Sequence, residues 1–126
     1  MSDKKDTGMT GEKLTAAYLE RHGYKILSRN YTVRGGEIDI IAEKDGIIAF
    51  TEVKTRSDNY LSSGASAVTA AKQKHIIKTS IIYMMRSGSE CQPRYDVSEV
   101  IMKNGKPVRI NYYENAFTAD GFNSFI

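Results

Sequence analysis

The sequence has a single cysteine, Cys91, so no disulfide framework can form within the chain. It has no long apolar run: the stretch from Ile38 to Ala42 is interrupted by Asp39, and a membrane span is excluded. The N-terminus is polar, with Asp3 and Asp6 among its lysines and no apolar stretch behind them, so no secretory signal is expected. A reducing, cytoplasmic setting follows as the expectation. Zinc ligands are not clustered, since Cys91, His22 and His75 are scattered. Internal repeats, low-complexity tracts and linkers are also missing. What is there is 126 residues, 40% hydrophobic and 26% charged, a balance that excludes wholesale disorder. A chain of this length hides roughly two-thirds of its unfolded surface. Residues 1–126 therefore read as one domain, with residues 1–9 expected to fray.

The net charge of +3 says less than its distribution. Between Lys54 and Ser89 stand Lys54, Arg56, Lys72, Lys74, Lys78 and Arg86 against Asp58 alone. A basic stretch inside a balanced chain suits phosphate binding, and a solvated helix face is the plainer alternative. Few aromatics interleave these bases, which argues against a platform for stacking single strands.

Thr10 is placed to N-cap a helix running to about His22, with Leu14, Ala17 and Tyr18 as its apolar stripe and Gly23 as its stop. Tyr24 to Thr32, Glu37 to Glu43 and Ile47 to Arg56 read as three antiparallel strands. Gly35-Gly36 and Asp45-Gly46 are their turns. Ser57 to Ser66 reads as a long loop. A second helix is expected from about Ala67 to Arg86, with Ala70, Gln73, Ile77, Ile81 and Met84 on one face. Gly88 to Pro93 breaks the chain. Tyr95 to Lys103 and Pro107 to Tyr113 are two more strands around the hairpin cue Asn104-Gly105. The tail from Glu114 holds three of the four Phe residues and is expected to dock. The order αβββαββ defines an α/β domain with helices packed on a mixed sheet.

The second and third strands carry the chemistry. Alternation puts Ile38, Ile40 and Ala42 on one face, and Glu37, Asp39 and Ile41 on the other. On the third strand Ile48, Phe50, Glu52 and Lys54 share a face, so Glu52 and Lys54 stand about 7 Å apart along it. The hairpin makes the strands neighbours, and Asp39 can lie across from that pair. Charges inside apolar strands need a reason, because an isolated buried charge is costly. Two close carboxylates repel, and one takes up a proton unless a cation intervenes. Hard carboxylate oxygens suit Mg²⁺, which keeps waters and also binds substrate phosphate. Lys54 beside them can hold an attacking water or neutralise phosphoryl charge. The plainer alternative is an exposed side of two ordinary strands. Ile41, Ile48 and Phe50 on the same face argue that it is covered. Glu12 falls in the first turn of the first helix, where the helix dipole already favours an anion. Gln73 is the polar member of an apolar stripe. It can orient a water or phosphate, or simply hydrogen-bond backbone.

Gly11-Glu12, Ala16-Ala17-Tyr18-Leu19, Gly23-Tyr24-Lys25-Ile26-Leu27, Arg29-Asn30-Tyr31, Gly36-Glu37-Ile38-Asp39-Ile40-Ile41-Ala42 and Glu52-Val53-Lys54-Thr55-Arg56 together resemble the YraN-like family of small bacterial proteins. The resemblance continues through Thr69, Lys72-Gln73, Tyr95-Asp96-Val97 and Glu114-Asn115-Ala116-Phe117, which is nearly the whole chain. That family is similar to restriction-endonuclease-like nucleases with the PD-(D/E)xK pattern, and to archaeal Holliday-junction resolvases. The resemblance implies Asp39 and Glu52 as metal ligands and Lys54 as catalytic lysine. It implies supporting roles for Glu12, which can join the metal site, and for Gln73. Ile38 stands where the pattern has Pro.

The expectation is a nuclease dependent on Mg²⁺ (or Mn²⁺) and acting on branched or structured DNA. Arg56, Lys72, Lys74 and Lys78 would contact phosphates without reading sequence. The rival is a non-catalytic nucleic-acid-binding or adaptor domain on the same scaffold. RNA is a weaker alternative substrate, since nothing reports contacts to a 2′-hydroxyl. Cutting a junction would favour a two-fold homodimer.

Overall fold

The computed structural model describes residues 3–57 and 68–120, with side chains from residue 10 onward. The order is α1 (Asp3–Arg21), β1 (Lys25–Val33), β2 (Gly36–Lys44), β3 (Ile47–Ser57), α2 (Ala70–Ser87), β4 (Gln92–Lys103) and β5 (Lys106–Phe117). The five strands form one sheet in chain order. All neighbours are antiparallel except β3 and β4, which run parallel. A parallel pair needs a long crossover, and α2 lies within it. The sheet is therefore mixed, as the αβββαββ reading expects.

Local chemistry explains the turns. Asp45-Gly46 and Asn104-Gly105 place both central residues at positive φ (49° and 79°, 52° and 77°). Such turns match the twist of an antiparallel hairpin, and Asn, Asp and Gly tolerate them best. In α2 the Thr69 side chain caps the Lys72 N–H, and Gly88 closes the helix in the left-handed region.

Two cores hold a helix on each face of the sheet. Ile76 and Ile77 of α2 pack with Ile38, Ile41, Ile48, Phe50, Tyr95, Val97 and Phe117. Ala16 and Leu19 of α1 pack with Ile40 and Ala42. Burying each large apolar side chain contributes roughly 1.5–3 kcal/mol. Two glycines set how closely the helices sit. A Cβ at Gly36 would collide with Thr79 Oγ1 of α2, and one at Gly11 would fall 2.6 Å from Thr55 Oγ1 of β3.

Several expected boundaries move. Thr10 is not an N-cap, and Glu12 is not in a first turn, because α1 begins at Asp3 and both lie inside it. β4 begins at Gln92 and takes in Pro93. β5 continues past Tyr113 to Phe117, whose ring stacks on Tyr95 at 5.4 Å, so this part of the expected tail docks as strand. Ser57, expected to open the loop to Ser66, is the last residue of β3; the rest of that loop and the other two Phe residues of the tail lie outside the described residues. Ala70, expected on the buried stripe of α2, is exposed. Ile38 joins the α2 core with Ile41, not the α1 core with Ile40 and Ala42. Strict alternation fails there because the β2–β3 ladder ends at Ile40–Thr51, and Asn30, between the partners of Ile38 and Ile40, takes φ 55°.

Candidate active site

The end of that ladder builds the site. Beyond Ile40–Thr51 the strands β2 and β3 part, and the backbone pairs stop. The freed Val53 N–H donates instead to Asp39 Oδ2 at 2.8 Å. A side chain thus replaces a strand in the ladder, and the Asp39 carboxylate is held in the fork. The next residue along β3 brings the second acid. Glu52 is 5% exposed, and its carboxyl group neighbours that of Asp39. Burial, then the Asp39 charge, pushes the Glu52 carboxyl up from 4.5 to about 7. Lys72 and Lys54 oppose that rise.

Lys54 Nζ stands 3.4 Å from Glu52 Oε2, and Lys72 Nζ of α2 stands 4.0 Å from the same oxygen. The Glu52–Lys54 neighbourhood expected from alternation is therefore present. Lys72 joins it from α2, near the capped N-terminus of that helix. Both lysines remain partly exposed, at 34% and 38% of their side chains, so the cluster opens to solvent on their side.

Glu12 approaches from the other helix. Gly11 lets α1 settle on Thr55 and Val53 of β3, and Glu12 follows it in sequence. Burial and the nearby Asp39 charge raise the Glu12 carboxyl above its ordinary value, and a hydrogen bond with Asn30 works against them. The tertiary fold thus brings together Asp39, Glu52, Lys54, Glu12 and Lys72. Gln73 is engaged elsewhere: its Nε2 donates to the Val68 carbonyl at 3.0 Å, the backbone alternative named for it above. Arg56 is half-buried further along β3, and Lys74 and Lys78 are exposed on α2.

Two acids that sequence reasoning did not single out are buried on β4. Asp96 is 0% exposed and saturated with donors. It accepts from Arg94 Nε and Nη2 at 2.8–3.2 Å, from the Tyr112 hydroxyl at 2.6 Å and from the Asn115 N–H at 2.9 Å. Glu99 is 1% exposed, accepts the Tyr113 hydroxyl at 3.3 Å, and has a second oxygen with no hydrogen bond among the described residues. A signal for Glu99 exists: Tyr95, Val97, Glu99 and Ile101 alternate, and Glu99 is the polar member of an apolar series. The same pattern drew attention to Gln73.

Among the described residues, no group of three or more His, Cys, Asp or Glu is arranged to hold a metal ion. The pair Asp39–Glu52 nonetheless fits a hard divalent cation. Two carboxylates in contact, one with its affinity for protons raised, are relieved by a cation as well as by a proton. Mg²⁺ needs only one or two protein carboxylates beside water and phosphate. No described helix is long and apolar enough to cross a membrane.

The mixed five-stranded sheet, the helix on each face and the forked strand pair define an α/β protein of restriction-endonuclease-like architecture. The chain belongs to the uncharacterised protein family UPF0102, whose model matches residues 11–100, and the YraN-like resemblance is borne out. It is 43% identical over 122 residues to a UPF0102 protein of Chlorobium phaeobacteroides, covering 96% of each chain. It is 42% identical over 113 residues to one of Symbiobacterium thermophilum, covering 89% of this chain and 96% of that relative.

Proposed function

We propose that this chain is a metal-dependent endodeoxyribonuclease that hydrolyses phosphodiester bonds in branched or otherwise structured DNA. One observation carries the reading: Asp39 and Glu52 meet side chain to side chain at the strand fork, with Lys54 3.4 Å from Glu52. A structural role does not need a buried carboxylate pressed against a second, half-buried one. The preference for branched DNA draws on the resemblance to junction resolvases.

Asp39 and Glu52 would hold Mg²⁺ or Mn²⁺, with Glu12 the next acid beside Asp39. That ion would polarise a phosphoryl oxygen and acidify a bound water. The Val53 N–H fixes the direction of the Asp39 carboxylate. Lys54 places its ammonium where negative charge develops on the phosphoryl group. Lys72, at the same carboxylate and partly exposed, is placed to bind a phosphate oxygen. Lys74, Lys78 and Arg56 add phosphate contacts that carry no sequence information.

The test is a cleavage assay on duplex, flap, single-stranded and four-way DNA, and on the RNA equivalents, with Mg²⁺, with Mn²⁺ and with EDTA. Cleavage should need the ion, prefer DNA, and vanish in Asp39→Ala and Lys54→Ala while circular dichroism is unchanged. Undiminished cleavage by both purified variants refutes the assignment. Salt-sensitive DNA binding without cleavage under either ion would identify a binding or adaptor module instead.

A further inference from the structure

We propose that Glu99 is a positioning residue for Lys54: its buried carboxylate takes the Lys54 ammonium when the charge on Glu52 is neutralised. The inference rests on the catalytic reading of Lys54, but its physical content can be measured apart from it.

Register and face place the two residues together. Lys54 on β3 pairs with Glu99 on β4 in an unbroken parallel ladder. Register partners in such a ladder point to the same face, on strands about 4.8 Å apart. Tyr95 and Val97 of β4 pack with Phe50 on the α2 side, and Glu99 continues their alternation. It therefore shares the face that carries Glu52 and Lys54. Glu99 is 1% exposed, and only one of its oxygens is engaged, by the Tyr113 hydroxyl at 3.3 Å. The other is buried with no hydrogen bond among the described residues. A buried carboxylate oxygen lacking a donor is unfavourable, and native folds rarely leave one so.

Lys54 now sits 3.4 Å from Glu52 Oε2, drawn there by charge. Once a cation occupies Glu52, that attraction becomes repulsion. The lysine side chain is long and flexible, with donors that can turn to a new acceptor. Glu99 is the acid in register with it. Transfer to Glu99 keeps the ammonium against the sheet, beside the reacting phosphate, rather than releasing it to solvent. The same move supplies the donor that Glu99 lacks.

Glu52→Gln imitates the neutralisation without any metal. In a crystal structure of metal-free Glu52→Gln, Lys54 Nζ should lie within about 3 Å of Glu99 Oε2. In double-mutant cycles of Lys54→Met with Glu99→Gln, followed by thermal unfolding, the two residues should couple in the Glu52→Gln background more strongly than in wild type. With DNA and Mg²⁺, Glu99→Gln should lower kcat and leave KM unchanged. Lys54 extended into solvent in Glu52→Gln, together with absent coupling in that background, overturns the inference. Failure of the nuclease reading looks different: the wild type takes up no Mg²⁺ and cuts nothing, while the Glu52→Gln measurements still decide the fate of Lys54.

Discussion

Asp96 and Glu52 are buried carboxylates on the two central parallel strands, one residue apart in register, and they face opposite helices. Asp96 lies with Arg94, Tyr112 and Tyr24 on the α1 side. Every contact it makes is with a donor, and its charge is answered by the Arg94 guanidinium at 2.8 Å. The Asp96 hydrogen bond in turn holds the Arg94 proton more tightly. Burial and the same carboxylate drive the Tyr112 hydroxyl well above its ordinary value, so it stays a donor. Glu52, on the α2 side, meets another carboxylate. Its proton affinity rises instead of being satisfied. The contrast separates two uses of a buried acid: one fastens strands together, and the other is left in a conflict that a proton or a cation can resolve.

The largest test of this contrast is Asp96→Ala. It removes the acceptor shared by Arg94, Tyr112 and the Asn115 N–H, leaves Arg94 only the exposed Glu114 at 3.7 Å as counter-charge, and should cost about 3–5 kcal/mol by urea unfolding. A loss as small as that of a surface substitution would erase the distinction. Next, Mg²⁺ at about a hundredfold its dissociation constant should stabilise the wild type by about 2.7 kcal/mol at pH 8. Asp39→Asn should lose that gain in calorimetry and in thermal melts, and Asp96 should play no part in it.

Glu52→Gln should move stability the other way from Asp96→Ala, with a gain of about 1–2 kcal/mol at pH 8, the opposing pull of Lys54 and Lys72 being already contained in the net rise. The sign follows from the raised carboxyl. Between pH 4.5 and about 7 the folded chain keeps a proton that the unfolded chain has released. The wild type therefore loses stability as pH rises through that window, and Glu52→Gln should flatten the curve. A wild-type curve already flat there would remove the conflict from the site. The smallest effect is expected from Lys74→Ala and Lys78→Ala. Each should lower the slope of log affinity for DNA against log salt by about 0.9 and leave both acid centres intact.

Much of the site was legible because it is local. Glu52 and Lys54 sit two residues apart on one strand, so alternation alone predicts their contact. Asp39 is joined to them by the Asp45-Gly46 hairpin, whose two positive-φ residues are written in the chemistry of Asp and Gly. Glu12 was less legible. Its approach depends on Gly11 letting α1 meet Thr55, a contact between segments far apart in sequence. The partner found for Gln73 was weighed but not decided, since backbone and ligand roles look alike in a helical stripe. Asp96 was legible only as part of a resemblance. Its donors come from Arg94, Tyr112 and Asn115, and no spacing rule links them. Ile38 was misplaced because alternation assumes an unbroken ladder.

By itself, the order of residues determined the element sequence, both Asx-Gly hairpins and the pairing of Glu52 with Lys54, since each depends on backbone preferences acting over a few residues. Only the folded chain decided where β2 leaves β3, that Asp39 fills the gap, and that Glu99 stays buried with one oxygen unanswered among the described residues. Those outcomes depend on how separate segments share donors, space and charge once water is excluded, and a linear pattern carries no term for that sharing.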